Sequence, residues 1–286
     1  MSVDKLQTAI RKLKNPTMVY FALDKSLLPP GFLEAAGTVT GAYCTYAKQL
    51  LTALSGAVPA VRFAFSTFAS HGAEGVLTLQ ELLYFARRQG FYILLDGPET
   101  YSPQAAAVTA ENFIEQWEFD GLCVPCYIGM DGIKPYIEQI SSGDKDLFVL
   151  MRSANKSASE LQDLLAGSRL LYSVVADMVK RQGDELVGKC GYSRIGGVGP
   201  ATSGNALQTL RSRNPAMFLL IDGYDYPGAN AKNCCQAFDK LGHGAIACAG
   251  SSILGAWQEG EGDPVTLALE AAERMKKNLS RYVAVL

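Results

Sequence analysis

Eight short apolar runs, each followed by a longer stretch with helical spacing, recur along the whole chain. The runs are MVYFAL (18–23), AVRFAF (60–65), FYILLD (91–96), GLCVP (121–125), LFVLM (147–151), SRIGGVG (193–199), MFLLID (217–222) and AIACAG (245–250). They are continuous rather than alternating, as parallel strands covered on both faces must be. Between them, LTLQELLYFARRQG (77–90) carries apolar residues at helical spacing and ends on Gly90, a C-terminal cap. SASELQDLL (157–165) reads as a helix opened by Ser157, with Glu160 in its first turn. DPVTLALEAAERMKKNL (263–279) has Asp263 and Pro264 at its start and lysines near its end, matching the helix dipole. Strict alternation of eight strand-plus-helix units predicts an α/β chain folded as one (β/α)8 barrel. A doubly wound open sheet is the alternative.

The 286 residues suit one barrel domain over 1–286. An N-terminal amphipathic helix over about 2–14 would pack on it through Leu6, Ile10 and Leu13. With 48% hydrophobic and 19% charged residues, a large core is available and disorder is excluded. The 26 basic and 28 acidic residues form no basic block, which argues against nucleic-acid binding. No apolar run approaches the roughly 20 residues of a membrane span, and the N-terminus lacks an apolar signal core. The expected location is therefore the cytoplasm. Seven irregularly spaced cysteines fit reduced core thiols. Cys123-Val-Pro-Cys126 is the one suggestive pair, without further ligands nearby. The two histidines, His71 before a helix start and His243 near a glycine-rich turn, read as capping or surface residues. No metal and no cofactor is implied.

A barrel keeps its chemistry at the C-terminal ends of its strands. Those positions hold Asp24-Lys25, Arg62, Asp96 with Glu99, Cys126-Tyr127, Ser153-Ala154-Asn155, Ala201-Thr202, Asp222 with Asp225, and Gly250-Ser251. Asp24, Arg62 and Asp96 are candidates for a charged cluster. It is either a remade active site, with Asp96 or Glu99 as base and Arg62 or Lys25 holding an anion, or a structural ion-pair network. Asp222 and Asp225 lie in IDGYDYPG, where turn chemistry is the plainer reading and a cation or basic ligand the sharper one. Tyr127 and Tyr226 either stack on a planar ligand or pack.

From about residue 15 to 257 the chain resembles the longer bacterial form of orotidine 5'-phosphate decarboxylase. FALDKSLLPPG resembles the family's first-strand motif ending in Leu-Asp, and HGAEGVLTLQELLYFARRQGFYILLD its second helix and third strand. CYIGMDGIKPYI keeps Tyr127, Gly129, Asp131 and Pro135 of the Asn-Pro-Tyr-x-Gly-x-Asp segment. LFVLMRSANKSASELQDL resembles the Leu-x-x-Thr-Ser-Asn stretch with its later Gln. PATSGNALQTLR keeps Ala201-Thr202 and Arg211, and MFLLIDGYDYPGAN resembles the Leu-Ile-Pro-Gly-Tyr-Gly-Ala-Gln-Gly-Gly loop. The resemblance implies a barrel, a homodimer, a nucleotide or other small-molecule ligand, and substrate contacts at Ser153, Asn155, Thr202 and Tyr127.

The chemistry it implies is interrupted at the same motifs. The family's catalytic centre is Asp-x-Lys-x-x-Asp after the third strand, joined by a second-strand lysine. The triplet's lysine protonates the carbon left by carbon dioxide. Here Asp96 is kept, but the lysine position is Pro98 and the second aspartate position Tyr101. The second-strand position is Arg62, cationic but a poor proton donor because its pKa stays above about 12. Lys25 and Lys156 are the nearest spare lysines. The family's phosphate-binding Gln and Arg match Pro227 and Ser251, each loss worth about 1.5–3 kcal/mol. Asp222 and Asp225 stand where the family has Pro and Gly, and Ala154 where it has a pyrimidine-contacting Ser. These residues predict a decarboxylase-like barrel in which decarboxylation is lost or altered. The alternatives are an active orotidine 5'-phosphate decarboxylase of pyrimidine synthesis with a substitute lysine, and an enzyme acting on an unphosphorylated substrate.

Overall fold

The computed structural model describes residues 2–286. Its centre is a closed parallel barrel of β1 (Thr17–Phe21), β2 (Ala60–Ala64), β3 (Tyr92–Asp96), β4 (Gly121–Val124), β5 (Asp146–Leu150), β6 (Ser193–Pro200), β7 (Met217–Asp222) and β8 (Ala245–Ala249). Neighbours in the ring are neighbours in sequence, and β8 closes on β1. The open-sheet alternative is thus overturned. All eight apolar runs became strands because each is buried on both faces, by the barrel interior and by the helices outside. Phe21 stacks on Phe63 at 5.2 Å, and Phe148 meets Phe218 edge-on at 6.2 Å.

Outside the strands lie α1 (Ser2–Leu13), α2 (Val39–Leu54), α3 (Gly72–Arg88), α4 (Pro103–Gln116), α5 (Met130–Ser142), α6 (Leu171–Gly183), α7 (Gly204–Arg213) and α8 (Pro264–Ser280). The helix read over 77–90 starts one turn earlier than its pattern suggests, at Gly72. Asp263 caps α8 by accepting the Thr266 N–H at 2.9 Å. Val3, Leu6 and Ile10 of α1 are fully buried, each contributing about 2 kcal/mol.

One helix did not form as read. Only Ala158–Leu161 is helical in the 157–165 stretch, and Ser157 caps nothing through its side chain. Arg152 grips Asp163 with two bonds of 2.8 and 2.7 Å, and Gln162 takes the Ser153 N–H at 2.8 Å. These bonds pull the segment back to the end of β5. It then turns at Gly167 (φ +69°) into a two-residue hairpin, Leu165–Ala166 against Arg169–Leu170.

The two ends of the barrel are built differently. At the base, α1 is tied across the strand starts, with Gln7 accepting the Gly244 N–H at 3.0 Å. Asp120 caps the start of β3 through Ile93 N–H (2.9 Å) and pairs with Arg87 (2.8 Å). Buried Asp146 accepts the Tyr92 hydroxyl at 2.8 Å, with Arg194 Nε 3.9 Å away. The Arg194 guanidinium is instead committed to the carbonyls of Ile140, Gly143 and Lys145 at 2.6–2.7 Å. Burial pushes the Asp146 carboxyl up to about 7, against the opposing pull of Tyr92 and Arg194.

Candidate functional site

At the opposite end, the strand tips surround a cavity of about 420 Å³. Arg62 enters it from β2 and is 8% exposed. Its Nε donates to Asp96 Oδ1 at 2.7 Å and a terminal nitrogen to Asp222 Oδ1 at 2.6 Å. Tyr20, its register partner on β1, lies under the guanidinium at 4.7 Å and donates its hydroxyl to Asp96 Oδ2 at 2.9 Å. Burial works against the arginine's charge, but Asp96 and Asp222 outweigh it and hold its pKa well above the ordinary value. The Tyr20 hydroxyl is pushed up by burial and then by Asp96. The cluster is therefore an arginine between two carboxylates, with a neutral phenol closing the ring.

The flanking thiols add no nucleophile. All seven cysteines are free. Burial raises the pKa of Cys123 and Cys248, beside the cluster, and of half-buried Cys126. A reactive cysteine needs the reverse shift, so the Cys123–Cys126 pair reads as core.

The other sequence candidates are placed as follows. Asp24 is at the cavity rim, where it caps a short turn by accepting the Ser26 N–H at 2.8 Å. Lys25 is exposed on that turn and does not line the cavity. Pro98 lies half-buried in the loop after β3. Tyr101 is 84% exposed and reaches Glu99. Tyr127, 83% exposed, does not line the cavity, whereas Tyr226, Pro227 and Ser251 do. Ser153 and Asn155 bond each other at 2.6 Å, and Thr202 donates to the Ala154 carbonyl at 3.1 Å. This web lies beside the cavity and touches it through the loop after β7. A Cβ at Gly223 (φ +76°) would sit 2.3 Å from that of Ala154, so only glycine fits there.

One member of the cluster, and the pairing of another, escaped the sequence. Tyr20 sits inside an apolar run, where a tyrosine gives no pattern signal. Asp222 was read as a turn former or cation ligand. It ends β7 as the apolar run implies, and its partner is Arg62. The available hint was a lone arginine in a buried strand, which demands internal carboxylates.

No family model matches the chain. It is 27% identical over 284 residues to a curated orotidine 5'-phosphate decarboxylase of Clostridium novyi, covering 98% of each chain. It is 29% identical over 262 residues to that of Clostridium perfringens, covering 90% of each. Among solved structures, the Leishmania donovani OMP decarboxylase is similar at 25% identity and a TM-score of 0.72, covering 97% of this chain and 98% of that one. The Plasmodium berghei orotidine 5'-monophosphate decarboxylase shares the fold at 12% identity, a TM-score of 0.79 and 99% coverage of both. The chain is thus an orotidine 5'-phosphate decarboxylase-like (β/α)8 barrel. No described helix is long and apolar enough to cross a membrane.

Proposed function

We propose that this decarboxylase-like barrel does not decarboxylate orotidine 5'-phosphate efficiently and serves as a ligand-binding or regulatory relative, working as a homodimer or beside an active relative. One observation carries the reading: the only cation lining the mouth among the described residues is Arg62, and two carboxylates already hold it. A carbanion left by carbon dioxide must take a proton from a nearby acid. A guanidinium whose pKa its carboxylate partners hold well above the ordinary arginine value is a poor one. Pro98 has no proton to give, and Lys25 stands outside the cavity. On the phosphate side, Pro227 and Ser251 offer neither a side-chain amide nor a guanidinium.

Purified protein at high concentration, mixed with orotidine 5'-phosphate and followed by ultraviolet absorbance for hours, should show no loss of substrate. The second reading, an active decarboxylase of pyrimidine synthesis, is favoured by the 27–29% identity to curated relatives over at least 90% of the chain. Turnover that disappears in Asp96→Ala would establish it and overturn the first.

A further inference from the structure

The loops after β7 and β8 are joined by one side chain. Asp225 Oδ2 accepts the Gly250 main-chain N–H at 2.5 Å, and its Oδ1 accepts the Ser252 hydroxyl. Both Asp225 and Gly250 line the mouth cavity with Arg62. In (β/α)8 barrels these two loops are a frequent seat for a phosphate, held by main-chain N–H groups and hydroxyls. Here a carboxylate of the chain itself occupies such donors, in the charge-assisted geometry an external anion would use.

An incoming anion would have to displace that carboxylate or face it at close range, with Asp24 and Asp222 also lining the cavity. Arg62 offers no compensation, because its guanidinium is turned to Asp96 and Asp222. We infer that Asp225 is a specificity-determining residue that fills the anion seat of the mouth from within, so that the cavity admits neutral or cationic small molecules and turns phosphate monoesters away. This rests on the reading of the mouth as a ligand site distinct from that of a working decarboxylase.

Calorimetric titration with inorganic phosphate, uridine 5'-monophosphate and uridine tests it in the full chain. The unsubstituted protein should bind uridine 5'-monophosphate no more tightly than uridine. Asp225→Gly, which frees both donors, should bind phosphate and the monophosphate roughly tenfold to a hundredfold more tightly, the range of one charge-assisted hydrogen bond, with uridine unchanged. Asp225→Asn keeps the loop tie through its amide and should gain less; it stands in if the glycine variant does not fold. Asp24→Asn removes one negative charge from the same cavity without freeing Gly250, so an equal gain there would reduce the effect to general electrostatics and overturn the assignment. Strong phosphate binding by the unsubstituted protein, or no gain in folded Asp225 variants, also overturns it. Orotidine phosphate turnover measured on the same samples judges the parent reading separately. A silent enzyme without the gain sinks only this inference, whereas turnover by the unsubstituted protein sinks the parent reading and, because a phosphate monoester then enters the mouth, this inference with it.

Discussion

Each end of the barrel buries an arginine and a carboxylate, and the two ends handle them in opposite ways. At the mouth Arg62 pairs directly with Asp96 and Asp222 at 2.7 and 2.6 Å. At the base Arg194 gives its donors to three main-chain carbonyls and stays 3.9 Å from Asp146. The mouth arginine is consequently locked as a cation, while the base carboxylate is left to titrate near neutrality. Proximity of opposite charges does not fix their chemistry; where the hydrogen-bond donors are aimed does.

The largest expected effect is at the mouth. Arg62→Leu strands two partly buried carboxylates and should cost about 3–5 kcal/mol, read from urea unfolding at neutral pH. Adding Asp96→Asn and Asp222→Asn should recover much of that. A single-variant loss under about 1 kcal/mol would mean that the ring is not a stabilising unit, and the contrast with the base would collapse.

The mouth also shows what the sequence makes legible. Continuous apolar runs announced all eight strands, because burial on both faces leaves a local signature. Arg62 and Asp96 were visible as charges at strand ends. Tyr20 was not, nor was the pairing of Asp222 with Arg62, since those roles come from a partner 42 and 160 positions away. The lost helix after Ser157 has the same cause. Its segment is held by Arg152 and Ser153, and helical spacing cannot report side-chain bonds that compete with the helix.

The next effect is at the base, and its sign is opposite to that of ordinary surface aspartates. Asp146 has its folded pKa raised from 3.8 to about 7. Its contribution is fully present below about pH 4 and is lost as pH rises to 7, at up to about 1.4 kcal/mol per unit. The stability difference between the parent and Asp146→Asn should therefore fall by roughly 3 kcal/mol between pH 4 and 7 and then level off. A flat difference would show that Arg194 does reach the carboxylate in solution and that the two ends are alike.

The smallest effect sharpens the same point. Tyr92→Phe removes the hydrogen bond that Asp146 accepts from the Tyr92 hydroxyl at 2.8 Å, at a cost of about 1 kcal/mol near neutral pH. Because that bond favours the carboxylate, the titration seen in the Asp146→Asn difference should move above pH 7 in the Tyr92→Phe background. A shift downward would contradict the assignment.

The brace from β2 to β3 and β7 also imposes an order on sequence change. Replacing Asp222 or Asp96 first leaves Arg62 half-paired inside the barrel, and replacing Arg62 first leaves two carboxylates without a cation. Every single removal of a charge passes through a weakened protein, so dismantling the ring is a coordinated event. A lineage that acquired this ring would be held to it by epistasis, whatever the mouth came to bind.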